Sequence, residues 1–218
     1  MVKTLRRSEL LETLTENILA IKHDRPLLVA IDGIDAAGKT MLAKELTDKL
    51  NGIGVPVIES SIDGFHNPRA IRYKRGSESP EGYCRDSFNF PALKVLLLDP
   101  LKTGELRYKA KAFDYTIDQG IISPFLEAEP DSILIFDGVF THQPDLREYW
   151  DYSIYLHIDE EESIRRGLNR NPGDEDEARR RYRVRYIAGQ RLYHAEAEPR
   201  KHADIVIDNN DPENPMIL

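Results

Sequence analysis

The stretch Leu27-Leu28-Val29-Ala30-Ile31-Asp32-Gly33-Ile34-Asp35-Ala36-Ala37-Gly38-Lys39-Thr40 places this chain among α/β proteins. Its first part, Leu27 to Ile31, is a short apolar run, the mark of a strand buried on both faces of a parallel sheet. Its second part, Gly33 to Thr40, fits G-x-x-x-x-G-K-[ST] at every fixed position. Two glycines let backbone N–H groups curl round an anion without Cβ clashes. Lys39 to Leu50 then reads as a helix stopped near Asn51-Gly52, and its N-terminal end adds positive charge to the loop. Gly33, Ile34, Asp35, Ala36, Ala37, Gly38, Lys39 and Thr40 are thus expected to hold nucleotide phosphates. The Lys39 ammonium reaches the β- and γ-phosphates, and the Thr40 hydroxyl is placed to bind Mg²⁺.

Outward from this unit the pattern alternates. Upstream, Leu10, Leu11, Leu14, Ile18 and Ile21 recur at helical spacing, which predicts an amphipathic helix over Ser8 to Ile21. Downstream, Val55 to Ile62, Ile133 to Phe136, Tyr152 to Ile158 and Ala203 to Ile207 supply four further strands. Asp159 opens a helix, with Glu162 three residues on in the pattern of a capping box. His66 to Phe90 carries Gly76, Ser77, Ser79, Pro80 and Gly82 and is expected as a loop outside the core. Ala92 to Leu98 is expected to be helical, and Leu106 to Phe113 an irregular strand or hairpin. A loop at Asn171-Pro172-Gly173 leads into an Arg-rich helix from Glu175 to Ala195. Strands alternating with helices predict an α/β fold with a mainly parallel five-stranded sheet flanked by helices.

Composition narrows the classes. The 218 residues carry 30 Lys and Arg against 38 Asp and Glu, a net charge of −8. That balance argues against nucleic acid as the main partner. No stretch approaches the roughly 18 apolar residues of a spanning helix, and the first residues lack the apolar block of a signal peptide. One cysteine, Cys84, excludes an internal disulfide and a cysteine-cluster metal site; no base or helix start is evident beside it, so an inert thiol is expected. His142, His157, His194 and His202 show no metal-ligand spacing. A soluble, cytoplasmic protein with no membrane partner is expected.

Two aspartates follow predicted strands, Asp63 before Gly64 and Asp137 before Gly138. The carboxyl edge of a parallel sheet is where ligands bind, so one carboxylate can accept a substrate hydroxyl proton while the other holds Mg²⁺. Arg165, Arg166 and Arg170 cluster after the fourth strand, and six more arginines lie between Arg179 and Arg191. Guanidinium groups bind phosphate with paired bonds, so a mobile arginine-bearing lid is expected, with Arg166 and Arg170 as its candidates. Tyr182, Tyr186 and Tyr193 form a stripe at spacings of four and seven, read first as packing.

The phosphate loop, Asp63-Gly64-Phe65-His66, Phe136-Asp137-Gly138-Val139-Phe140 and Ala203-Asp204-Ile205-Val206-Ile207-Asp208 occur in that order. Together they resemble the uridine kinase branch of the P-loop kinases, a group that includes phosphoribulokinase and a bacterial pantothenate kinase. The resemblance runs from about Leu27 to Asn209. It implies a nucleoside/nucleotide kinase-like P-loop NTPase fold that transfers the γ-phosphate of ATP or another nucleoside triphosphate to a primary hydroxyl, foremost the 5′-hydroxyl of uridine or cytidine. It assigns Asp63 as general base, Lys39, Arg166 and Arg170 as further catalytic residues, and Thr40 and Asp137 as the Mg²⁺ residues. His66 falls where an aromatic residue contacts the nucleoside, and Asn89, with Asp86 close by, where the ribose hydroxyls are gripped. Phe113 and Asp114 fall in the base pocket. A single kinase domain over 1–218 is implied, with an N-terminal helix (8–22), an acceptor-side excursion (66–125) and an Arg-rich lid (165–183). Relatives of this kind form dimers or tetramers, so a homo-oligomer is compatible.

The sequence also departs from that pattern. The Tyr-Asp-Phe motif reads Phe113-Asp114-Tyr115 here, and the His and Arg that follow it elsewhere are missing. Arg75 to Tyr83 looks closer to a segment of the pantothenate kinase branch. Both departures motivate an alternative acceptor: pantothenate, a sugar or a vitamin precursor. A nucleotide-dependent switch without a small acceptor is the reading from another class, and Asp63-Gly64 counts against it.

Overall fold

Leu27–Gly33 forms β1, buried along its whole length. The computed structural model describes residues 3–170 and 174–218. Side chains of β1 alternate between two apolar layers, as strand geometry requires. Leu27, Val29 and Ile31 meet Leu10, Leu14 and Ile18 of α1 (Arg7–Leu19) and Leu42, Leu46 and Leu50 of α2 (Lys39–Gly52). Leu28 faces the opposite layer, with Phe65, Leu97, Phe136, Phe140 and Tyr193.

Four further parallel strands follow: β2 (Val57–Ser61), β3 (Ile133–Asp137), β4 (Tyr152–His157) and β5 (Ile205–Asp208). Their order across the sheet is β5-β4-β1-β3-β2. The register sets Asp137 opposite Ile31 on one side and Ser61 on the other. The phosphate loop after β1, Asp63 after β2 and Asp137 at the end of β3 therefore share one edge.

Among the described residues the sheet has seven strands rather than the expected five. Met216–Ile217 runs antiparallel to β5, and Lys3–Thr4 runs antiparallel to Met216–Ile217. Two-residue strands carry no alternation for a sequence reading to detect. The expected loop at 66–90 contains a helix, α3 (Pro80–Asp86). Ser79 and Pro80, which read as breakers, are its start: Ser79 Oγ accepts from the Gly82 N–H at 3.0 Å, and proline suits the first helical turn. Residues 90–103 are helical, with π turns at Lys94–Leu98. The stretch after them, expected as an irregular strand or hairpin, holds two short antiparallel ladders, Arg107–Tyr108 with Leu126–Glu127 and Phe113–Asp114 with Gln119–Gly120.

After β4, α4 spans Glu160–Arg170. The expected capping box is replaced: the Asp159 N–H donates to Asn210 Oδ1, and Glu162 binds Arg165 and Arg166. The predicted loop at Asn171-Pro172-Gly173 lies outside the described residues. The Arg-rich helix follows as α5 (Glu175–Arg181), π turns at Tyr182–Ile187 and α6 (Ala188–Ala197). Asp174 caps it, accepting from the Asp176 and Glu177 N–H groups. Among the described residues no helix is long and apolar enough to cross a membrane.

Candidate functional site

The loop between β1 and α2 takes its shape from its glycines. Gly33 (φ +151°) lies so close to β4 that a Cβ would stand 2.5 Å from the Leu156 carbonyl oxygen. Gly38 (φ +98°) leaves room for Asn209, whose Nδ2 donates to the Ala37 carbonyl at 2.8 Å. Lys39 Nζ donates to the carbonyls of Gly33 (2.9 Å) and Ile34 (2.7 Å). Desolvation lowers the Lys39 pKa, while Asp35, Asp32, Asp137 and Asp63 favour its charged form.

The loop opens into a cleft of about 570 Å³ that also receives Thr40, Asp63, His66 and Asp137. Thr40 Oγ1 donates to Asp137 Oδ2 at 2.7 Å. Gly138 is required here, since a Cβ would stand 2.6 Å from that of Ile62. These two adjacent oxygen donors fit a hard divalent cation that keeps most of its waters and shares ligation with phosphate. Among the described residues no group of three or more His, Cys, Asp or Glu side chains could hold a metal ion alone.

Asp63 sits on a 3₁₀ turn, Ile62–Phe65, with its side chain 60% exposed in the cleft mouth. Desolvation by the surrounding walls raises its pKa, Asp137 and Asp35 add to this, and His66 and Lys39 oppose it. His66 Nδ1 lies 3.0 Å from the Asp63 carbonyl oxygen. Its ring packs against Phe88 and Tyr115, with centroids 4.5 and 5.0 Å away. Burial lowers the His66 pKa, against the pull of Asp63.

The arginines are arranged differently from the expectation. Arg166 is held outside the cleft lining, its Nε on Glu162 (2.6 Å) and its Nη2 on the carbonyls of Asn209 and Asn210 (2.9 Å each). The side chain of Arg170 lies outside the described residues. Arg181 lines the cleft instead, with Tyr182 and Tyr186 from the π turns and Asp174 and Glu177 from the start of α5.

The expected acceptor contacts are only partly assembled. Asn89 and Phe113 line a separate hollow of about 240 Å³, which shares His66 with the main cleft. Asn89 Oδ1 caps the next helix by accepting from the Ala92 N–H at 3.0 Å. Asp86 is 6% exposed and ion-paired with Lys74 (3.0 Å) and Arg75 (2.8 Å). Burial acts to raise its pKa, but those two cations prevail and lower it. Asp114 Oδ1 closes a turn, accepting from the N–H and hydroxyl of Thr116. Cys84 is buried, and desolvation pushes its thiol up to about 11, which keeps it protonated and inert.

Three further groups bear on the site. Asp32, fully buried, accepts from Tyr193 and from His142 Nδ1 (2.7 Å), which ties α6 to the root of the phosphate loop. Asn209, at the end of β5, holds the loop through Ala37 and accepts from Arg7 Nη1 at 3.3 Å. Asp35 Oδ2 accepts from the Tyr83 hydroxyl at 2.7 Å. The hydrophilic Asp32 at the end of an apolar strand is a signal the sequence offers. Nothing local marks Asn209 or Tyr83.

Comparison with known proteins bears on this geometry. The Phosphoribulokinase / Uridine kinase family model matches residues 28–192. A uridine kinase of Clostridium botulinum (strain Langeland) is 28% identical over 198 residues, covering 84% of this chain and 88% of that protein. A uridine kinase of Ligilactobacillus salivarius is 23% identical, covering 87% of this chain and 88% of that protein. A solved structure described as a possible uridine kinase from Bacillus stearothermophilus superposes with a TM-score of 0.74 at 25% identity, covering 91% of this chain and 97% of that one. The chain is a P-loop kinase, a nucleotide-using phosphotransferase that acts on a hydroxyl group, and it belongs to the phosphoribulokinase/uridine kinase family.

Proposed function

We propose that this kinase transfers the γ-phosphate of ATP to the 5′-hydroxyl of uridine or cytidine, acting as a single domain in the cytoplasm. The observation that carries this reading is the convergence of Lys39, the Thr40–Asp137 pair, Asp63 and the His66–Phe88 ring pair on one cleft mouth. The loop amides of Gly33 to Thr40 and Lys39 hold the phosphates. Thr40 and Asp137 would hold Mg²⁺, which neutralises charge on the β- and γ-phosphates when bound. Asp63 accepts the hydroxyl proton as the acceptor oxygen bonds to the γ-phosphorus and the bond to the β–γ bridging oxygen breaks. ADP leaves, and Asp63 returns the proton to water. Arg181 steadies charge on the transferring group from the lid side, and Arg170 shares that role through the family resemblance. Arg166 braces the Asn209–Asn210 segment instead.

A second reading, a kinase of another hydroxyl-bearing metabolite, rests on the commitments of Asp86, Asn89 and Asp114 to their own neighbours. ADP release with Mg–ATP, measured across uridine, cytidine, purine nucleosides, pantothenate and simple sugars, separates the two. Stimulation by uridine or cytidine is expected; stimulation by a non-nucleoside alone would move the acceptor assignment to the second reading.

A further inference from the structure

Asp35 is the third residue of the phosphate loop, yet its carboxylate meets the acceptor-side helix α3. A negative side chain in a loop built to hold phosphate opposes the loop's own task, so its placement calls for a separate role. Oδ2 accepts from the Tyr83 hydroxyl at 2.7 Å and from Gln190 Nε2 at 3.4 Å. Among the described residues no hydrogen bond reaches Oδ1, and Asp35 lines the same cleft as Asp63 and Lys39.

The anchor is rigid. Tyr83 is 6% exposed, its ring packed against Phe140 and Tyr186 at 5.1 and 5.0 Å. It lies on Gly189, where a Cβ would stand 2.7 Å from Tyr83 Cδ1. Ser163 Oγ fixes the backbone by donating to the Asp35 carbonyl at 2.7 Å. A carboxylate held this way by one oxygen offers the other as a preorganised acceptor for a hydroxyl. The residues expected to grip the ribose hydroxyls stand elsewhere: Asp86 is ion-paired with Lys74 and Arg75, Asn89 Oδ1 caps the next helix at Ala92, and neither lines this cleft.

We propose that Asp35 is a specificity residue for the acceptor, its Oδ1 binding a hydroxyl other than the reacting one, and that Tyr83 is the residue that positions it. This rests on the kinase reading above and narrows the substrate to an acceptor with at least two hydroxyls. The test measures kcat/KM for uridine, cytidine and their 2′-deoxy and 3′-deoxy analogues in the wild type, Asp35→Asn and Tyr83→Phe, with the KM for ATP alongside. The wild type disfavours one deoxy analogue by about tenfold or more, the effect of leaving a charged hydrogen-bonding group unpaired. Asp35→Asn brings the ratio of parent to deoxy analogue to within about twofold, and Tyr83→Phe reduces it part of the way. The KM for ATP changes less than about threefold in both.

A deoxy ratio unaltered by Asp35→Asn, or a loss expressed in the KM for ATP alone, overturns the proposal. If no nucleoside stimulates the wild type, the nucleoside reading fails instead. The same ratio is then measured with whichever sugar or pantothenate does stimulate and its deoxy counterpart, and its loss in Asp35→Asn upholds Asp35 independently of that reading. Stimulation by none of these compounds overturns both.

Discussion

Lys39 and Asp63 approach the cleft with opposite perturbations. Lys39 is desolvated and hydrogen-bonded to two loop carbonyls, so phosphate oxygens that enter the loop compete for an ammonium already in place. Lys39→Ala is expected to lower kcat by about a hundredfold or more, the scale of losing a preorganised charge at the reacting phosphate, with the fold intact by circular dichroism. As the proposed base, Asp63 works only when ionised, and its pKa is raised from the usual 3.8. The rate should therefore rise with pH along an acid limb lying above 3.8. Asp63→Asn should remove that limb and reduce kcat far more than ATP affinity; a pH–rate profile of both proteins checks this. The tight turn at Gly33 and Gly38 and the placement of Lys39 and Thr40 on the cleft depend on sequence neighbours and were legible in the sequence. The contacts of Arg166 with Glu162, Asn89 with Ala92 and Asp114 with Thr116 were not, because sequence gives residue type without partner.

At the scale of elements, the junction of α4 with the π turns controls which side chains line the cleft. Gly167 has no side chain because Tyr182 occupies that space; a Cβ there would stand 2.7 Å from Tyr182 Cε1, and the phenol oxygen would be closer still. Gly167→Ala should displace Tyr182 and its neighbour Arg181, destabilise the protein by about 1–3 kcal/mol and reduce turnover. Adding Tyr182→Ala should recover part of the stability loss, since the collision is gone and alanine favours a helix over glycine by about 1 kcal/mol, while the ring contact with Tyr186 is given up. Denaturant titrations of the two variants report this directly. The long Arg-rich helix was evident from composition, whereas its π turns were not; they fall where Tyr182 packs on Gly167 and Tyr186 on Tyr83, contacts with distant segments. The short α3 was hidden by Ser79 and Pro80, which mark a helix start as readily as a loop.

Over the whole molecule, the order β5-β4-β1-β3-β2 gathers chemistry from distant parts of the chain on one sheet edge. The opposite edge is clamped by Asp151, 16% exposed, which binds Arg25 (2.7 Å), Lys102 (3.0 Å) and the Leu28 N–H (2.9 Å). Burial acts to raise its pKa, but these donors prevail and hold it at about 2 against the usual 3.8. A depressed carboxylate stabilises the fold above its unfolded pKa, and that contribution is lost as pH falls from about 4 through 2. Asp151→Ala should thus cost about 2 kcal/mol at pH 7, with a smaller deficit near pH 3, as urea unfolding at the two values would reveal. Alternating strands and helices made the parallel core legible, but the clamp and the terminal two-residue strands depend on contacts between distant segments that leave no local pattern. The most direct trial of the kinase assignment is ADP release from Mg–ATP by the wild type and Asp63→Asn, with and without uridine or cytidine. Release that depends on the nucleoside and collapses in Asp63→Asn is the expected result. Release that is equal with and without every acceptor, or that survives in Asp63→Asn, would contradict a hydroxyl-phosphorylating site at Asp63.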